Sequence, residues 1–172
     1  MKKISKKIRL LLILSLILLN VSCDQISKNV VRHTIEKNEQ IQVFKENFIL
    51  TKVENRGAAY SLGSDLAPIL KILLLQLLPI IVLIFLLRQL IIKTNYSRET
   101  IIGFTFIIGG GIGNLFDRII RGSVTDFMIM DLGIIKTEIF NMADVSIMVG
   151  SAIILITTLL NKNGSFFKTS NQ

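Results

Sequence analysis

Four almost purely apolar stretches decide what this chain of 172 residues can fold into. They run Ile8 to Val21, Leu66 to Leu87, Ile101 to Phe116 and Val145 to Leu160, and apart from Arg9 and Lys71, each near an end of its stretch, charge is confined between them. A bilayer core about 30 Å thick takes roughly 17–25 helical residues. The second stretch meets that length, and the others reach it by taking in polar flanks. The spans then fall at about 8–23, 66–88, 100–117 and 144–161, with loops at about 24–65 and 118–143. Short spans with polar ends are expected where those ends build a site at the membrane surface. The expected fold is a single α-helical integral membrane domain over 1–172, with four transmembrane helices and a small extracytoplasmic β-sheet.

Composition narrows the chemistry. A 51% hydrophobic content and a mean hydropathy of +0.60 exclude a disordered chain and a soluble nucleic-acid binder. Cys23 is the one cysteine and His33 the one histidine, so an internal disulfide, a cysteine zinc cluster and a two-histidine relay cannot be built.

Charge sets the orientation. Residues 1–9, 88–99 and 161–172 hold ten of the 20 cations and a single acid, Glu99. The other eleven acids fall in residues 24–71 and 117–144. The densely basic side is cytoplasmic by the positive-inside rule, with Lys2, Lys3, Lys6, Lys7 and Arg9 the strongest contribution. Both termini are then inside and both long loops outside. The charge of +8 is explained by topology, with no nucleic-acid partner.

Residues 1–23 also fit a lipoprotein signal peptide, with a basic start, an apolar middle and Ser22 before Cys23. Asn20 is a poor fit three places before that cysteine. The three later spans argue against the reading and leave Cys23 as a small apolar residue near a helix end.

In the first outer loop His33 to Gln40 reads as loop or frayed helix, and Phe48 to Asn55 as a strand. In the second, Ser123 to Met130 alternates like a strand. Asp131-Leu132-Gly133 suits a turn, and Ile134 to Phe140 alternates again.

Three acids sit at the outer interface: Asp117 at the end of the third span, Asp126 in the strand after it, and Asp144 at the start of the fourth. Asn114 and Asp117 are three apart and share a helix face, as do Asn141 and Asp144. Two carboxylates held close cannot both ionise easily, so one keeps a proton. The charged one can take a proton from water, and the protonated one can donate to a carbonyl oxygen. Such a pair needs no metal, histidine or serine. Against this stand Asp144 as a helix cap and Asp117–Arg118 as an interfacial charge pair. Another reading is a non-enzymatic membrane scaffold or transporter subunit with the acids as an ion relay. It would place them at mid-membrane, not at one interface. Gly109 to Gly111 and Gly113 suit close helix packing. Ser27–Lys28 has no framing motif for a catalytic dyad.

Five motifs, in one order, then match a family. They are Asp24 to Lys28, Asn55-Arg56-Gly57-Ala58-Ala59-Tyr60, Gly110 to Arg118, Val124-Thr125-Asp126-Phe127, and Phe140-Asn141-Met142-Ala143-Asp144. Over roughly residues 8–160 the chain closely resembles the prolipoprotein signal peptidases, signal peptidase II. The departures are Tyr60, where Phe is common, and Thr125, where a second Val is common.

The resemblance implies a bacterial membrane aspartic endopeptidase that removes signal peptides from diacylglyceryl-modified prolipoproteins by cutting before the lipidated cysteine. It implies Asp126 and Asp144 as the catalytic pair, with Asn114, Asp117, Arg118 and Asn141 in support. Asn55 and Gly57 would belong to the substrate-binding face, and Asp24 and Lys28 to a structural or lipid-facing role. The expected partners are lipidated signal peptides and membrane lipid. No cofactor or metal is expected, and a monomer is. The expected location is the bacterial cytoplasmic (inner) membrane, with the active site at its extracytoplasmic face.

Overall fold

A computed structural model describes residues 5–44, 47–58 and 61–160. Four helices long and apolar enough to cross a membrane carry a three-stranded antiparallel sheet at one end. The first helix, α1 (Lys6–Thr34), opens on Ser5, whose hydroxyl accepts from the Ile8 N–H at 3.3 Å. It closes with Arg32 and His33 in its last turn, where cations suit the exposed carbonyls. It runs unbroken through Cys23, which is exposed, so residues read as the start of an outer loop continue the helix. The physical reason is a polar stripe at helical spacing. Asn20, Asp24 and Lys28 continue the buried face of Ile13 and Ile17 and pack inward.

The second span is composite. α2 (Pro68–Lys71) starts on Pro68, whose missing N–H is no loss in a first turn. A π-helical segment, Ile72–Leu77, follows, and α3 (Leu78–Ile92) completes the span. Pro79 cannot donate to the preceding turn, and a wider turn just before it relieves that clash.

α4 (Arg98–Arg121) is the central helix. It starts on Ser97, which accepts from the Thr100 N–H at 3.2 Å. It ends at Gly122, whose φ of 76° is open to glycine without strain. Its glycines let three neighbours approach. A Cβ on Gly110 would overlap the Ala143 carbonyl of α5 (Met142–Leu160). One on Gly109 would meet Asn20 of α1 at 2.6 Å, and one on Gly111 would meet Leu83 of α3 at 2.7 Å. On α5, a Cβ at Gly150 would lie 2.5 Å from the Gly103 carbonyl. Gly150→Ala is therefore expected to wedge α4 from α5 and lower stability by about 1–3 kcal/mol. Thermal unfolding in detergent measures this, and an unchanged midpoint would contradict the packing.

The sheet order is β1 (Gln40–Phe44), β2 (Phe48–Asn55), β3 (Val124–Met130). Val53 pairs with Asp126, and Glu54 with Thr125. β3 is almost wholly buried because Phe127 and Met128 pack on Val31 and Ile35 at the end of α1. The expected strands over Phe48 to Asn55 and Ser123 to Met130 are present, the second beginning at Val124. β1 was not anticipated. The region His33 to Gln40, read as loop or frayed helix, holds the last two residues of α1, then irregular chain over 35–39, and Gln40 opens β1. Ile134 to Phe140 forms no strand. It meets β3 through a bridge from Phe140 to Met128 and through Thr137, whose N–H donates to the Met130 carbonyl at 2.8 Å and whose hydroxyl accepts from the Met130 N–H at 2.9 Å; Lys136 bridges to Asp131 beside the Asp131–Gly133 turn.

Candidate functional site

Asp126 and Asp144 come together where β3 meets the first turn of α5, and Asn141 joins them. Its side-chain amide donates to Asp126 Oδ1 at 2.6 Å, and its backbone N–H donates to Asp144 Oδ2 at 3.1 Å. Its Oδ1 accepts from the Asp144 N–H at 3.0 Å, so Asn141 and Asp144 form a reciprocal cap on α5. Asp144 thus does cap a helix, and its other oxygen is still directed to the site. Asn114 Nδ2 donates to that Oδ1 at 2.8 Å. Asn55 Nδ2 donates to Asp126 Oδ2 at 3.0 Å. All four carboxyl oxygens therefore accept from an amide held in place by something else.

Those orientations are fixed by further contacts. Asn55 Oδ1 accepts from the Gly57 N–H at 2.9 Å. Asn114 Oδ1 accepts from Lys28 Nζ at 2.9 Å and from Asn141 Nδ2 at 3.1 Å. Asp126 is 4% exposed and Asn141 is fully buried, whereas Asp144 is half-buried. Burial pushes the Asp126 carboxyl up to about 6, opposed by the Asn55 and Asn141 amides and reinforced by the nearby Asp144.

Behind the pair lies a buried charge cluster. Lys28 Nζ sits 2.8 Å from Asp24 Oδ2 and 3.1 Å from Asp117 Oδ2, and all three side chains are fully buried. Arg32 contacts Asp117 at 2.7 Å and donates from Nε to the Thr125 hydroxyl at 2.8 Å. Asp24 Oδ1 accepts from the Ala143 N–H at 2.9 Å and so pins the start of α5. Asp24 and Lys28 thus face the bundle interior and not lipid. Asp117 belongs to this cluster; in place of the alternative Asp117–Arg118 charge pair its partners are Lys28, Arg32 and, at 3.6 Å, Arg121. Arg118 turns the other way. It donates to the Gly57 carbonyl at 2.9 Å, and its Nε is buried with no hydrogen-bond partner among the described residues.

Three contributors escaped the sequence reading. Arg32 stands four residues beyond Lys28, and that continuation of the stripe was its signal. Glu54 accepts from Thr125 at 2.8 Å and Ser123 at 2.7 Å across the strand pair. Period-two alternation sends Thr125 toward Arg32 and Glu54 while Asp126 faces Asn55 and Asn141. Gln76, a lone polar residue in the π-helical segment, reaches the Arg118 carbonyl at 3.4 Å. Tyr60 and Ala59 of the second motif, and Lys2, Lys3, Lys162 and Lys168 of the charge argument, lie outside the described residues.

The sequence profile of signal peptidase (SPase) II matches residues 16–160. The lipoprotein signal peptidase of Borrelia turicatae is 35% identical over 148 residues, covering 83% of this chain and 86% of that one. The lipoprotein signal peptidase of Streptococcus pneumoniae is 34% identical over 145 residues, covering 84% and 90%. A bacterial membrane enzyme solved by the in meso method at 2.3 Å superposes with a TM-score of 0.78 at 25% identity, covering 93% of each chain.

Proposed function

This chain belongs to the signal peptidase II family and is a membrane protease that processes lipoprotein precursors, and we propose that Asp126 and Asp144 are its catalytic pair. The observation that carries this assignment is Asn141, which binds one oxygen of each carboxylate. Asp126 is the member that holds the proton. It is the more buried of the two, and burial opposes its ionisation.

In the first step Asp144 takes a proton from water while the water oxygen bonds to the scissile carbonyl carbon. Asp126 gives its proton to the carbonyl oxygen. In the second step the tetrahedral diol collapses and returns a hydroxyl proton to Asp126. The carbon–nitrogen bond breaks, and Asp144 passes its proton to the leaving amine. The leaving amine is that of the diacylglyceryl-modified cysteine. Arg118 Nε, buried and without a hydrogen-bond partner among the described residues, is the donor that a substrate carbonyl would engage on entering, and Asn55 ties the Gly57 segment to the same place.

The sheet end is extracytoplasmic, and the membrane is the bacterial inner membrane. The support is the cations of the opposite end, Lys6, Lys7, Arg9, Arg88, Lys93 and Arg98. A signal peptide crosses the membrane and meets the carboxylates where it leaves the lipid. One chain supplies every group of the pair, so a monomer suffices for the chemistry.

The test is cleavage of a lipidated precursor across pH, with the unlipidated precursor as control. Asp126 is protonated below about 6 and ionised above it. kcat/KM is therefore expected to fall as pH rises through that region. Asn55→Leu removes a bond that favours the charged form, so its alkaline limb moves to higher pH. A flat profile across that range, or equal cleavage of both precursors, would count against the assignment.

A further inference from the structure

The end opposite the sheet carries a cavity of about 350 Å³ between the first turns of α1 and the last turn of α3. Its walls include Leu10, Ile91 and Ile92, and its polar lining is Lys6, Arg9 and Thr94. Arg9 is partly committed. Its Nη2 donates to the Leu90 carbonyl at 2.9 Å and the Lys93 carbonyl at 2.7 Å, closing the open end of α3. Its Nε is buried with no hydrogen-bond partner among the described residues. Neither Lys6 nor Arg9 is paired with a carboxylate among the described residues. The catalytic groups lie at the other end of the helices, so this cavity has no part in the reaction.

We propose that this cavity binds an anionic phospholipid, with the phosphate held by Lys6, Arg9 and Thr94 and an acyl chain lying along Leu10, Ile91 and Ile92. The two halves of the cavity match the two halves of that molecule. A free phosphate would use the cations and leave the apolar walls uncovered. An uncharged lipid would fill the walls and leave the cations unanswered. A headgroup with its own ammonium would bring a like charge to Lys6 and Arg9. Basic pockets between transmembrane helices commonly hold anionic headgroups. The lipid would also close the gap where α1 meets α3.

The test uses the purified full chain in neutral detergent and native mass spectrometry. Phosphatidylglycerol and phosphatidylcholine of matched chains are offered together. The wild type is expected to retain one phosphatidylglycerol in preference. Lys6→Gln is expected to reduce that preference about fivefold, the effect of about 1 kcal/mol per cation near an anionic headgroup. Ile92→Trp places an indole across the apolar wall and is expected to reduce retention of either lipid. Precursor cleavage in detergent, unchanged in both variants, certifies their folding. Equal retention of the two lipids, or a preference that survives both substitutions, overturns the proposal. So does stabilisation by inorganic phosphate equal to that by phosphatidylglycerol, which would mark an anion site without a place for the tail.

Discussion

Asp144→Asn and Asp126→Asn are each expected to lower cleavage of a lipidated precursor by about 10²–10⁴-fold, the range for loss of a positioned acid or base. Neither change should prevent folding. An asparagine at 144 can keep an acceptor oxygen for the Asn141 N–H, so the cap on α5 persists. An asparagine at 126 keeps one acceptor for the two amides that reach it. The double variant should be little worse than either single one, because both acids serve one proton circuit. Asn141→Ala behaves differently. It removes the side-chain bonds to Asp126, Asn114 and the Asp144 N–H together, so both rate and melting temperature should drop. Turnover by the purified proteins, with thermal unfolding on the same samples, measures both effects. Near-normal cleavage by either single aspartate variant would remove the proposed chemistry.

Lys28→Met is expected to destabilise the fold by about 3–5 kcal/mol, the usual effect of removing one partner from a buried ionic group. Lys28 and Arg32 face Asp24 and Asp117, and the ammonium touches both acids with no exposure to solvent. Without it, one buried carboxylate has no countercharge, and Asn114 loses the donor that orients its amide toward Asp144. Asp24→Asn combined with Lys28→Met restores the charge balance. The amide side chain introduced there still offers an oxygen to the Ala143 N–H, so the double variant should melt closer to wild type than Lys28→Met alone. If the single variant melts at the wild-type temperature, the ammonium is not the cluster's anchor.

The four spans were legible because a run such as Leu66 to Leu87 has few other uses in a short chain. The end of α1 was not. Its apolar run stops at Val21, and Asn20, Asp24 and Lys28 look like a departure from the membrane until their partners on α4 and α5 are known. Those partners are far away in sequence, and one chain carries no mark of which polar residues meet. β1 was missed because all five of its residues are exposed, so no buried face imposes a pattern. Ile134 to Phe140 misled for the opposite reason. It alternates, but after the turn at Asp131 to Gly133 it meets β3 only at isolated points, Thr137 against Met130 and Phe140 against Met128, with no continuous ladder between them. At the site, the three acids at one interface could be read from where the spans end. The division of labour could not, because Asp117 lies three residues from Asn114 and both are buried on α4. Only the contacts separate Asp117, in the charge cluster, from Asp126 and Asp144, beside the Gly57 segment.

The amides that cradle the two acids are drawn from three distant parts of the chain: Asn55 before the second crossing, Asn114 on the third, and Asn141 at the doorway to the fourth. During synthesis the ribosome delivers Asp126 well ahead of its companion, and Asp144 gains its setting only once the final segment enters the bilayer. On the proposed pairing, a chain that stops short of the last crossing holds Asp126 without Asp144 and without the amide of Asn141. The order of insertion thus sets the moment at which the two acids first share a setting.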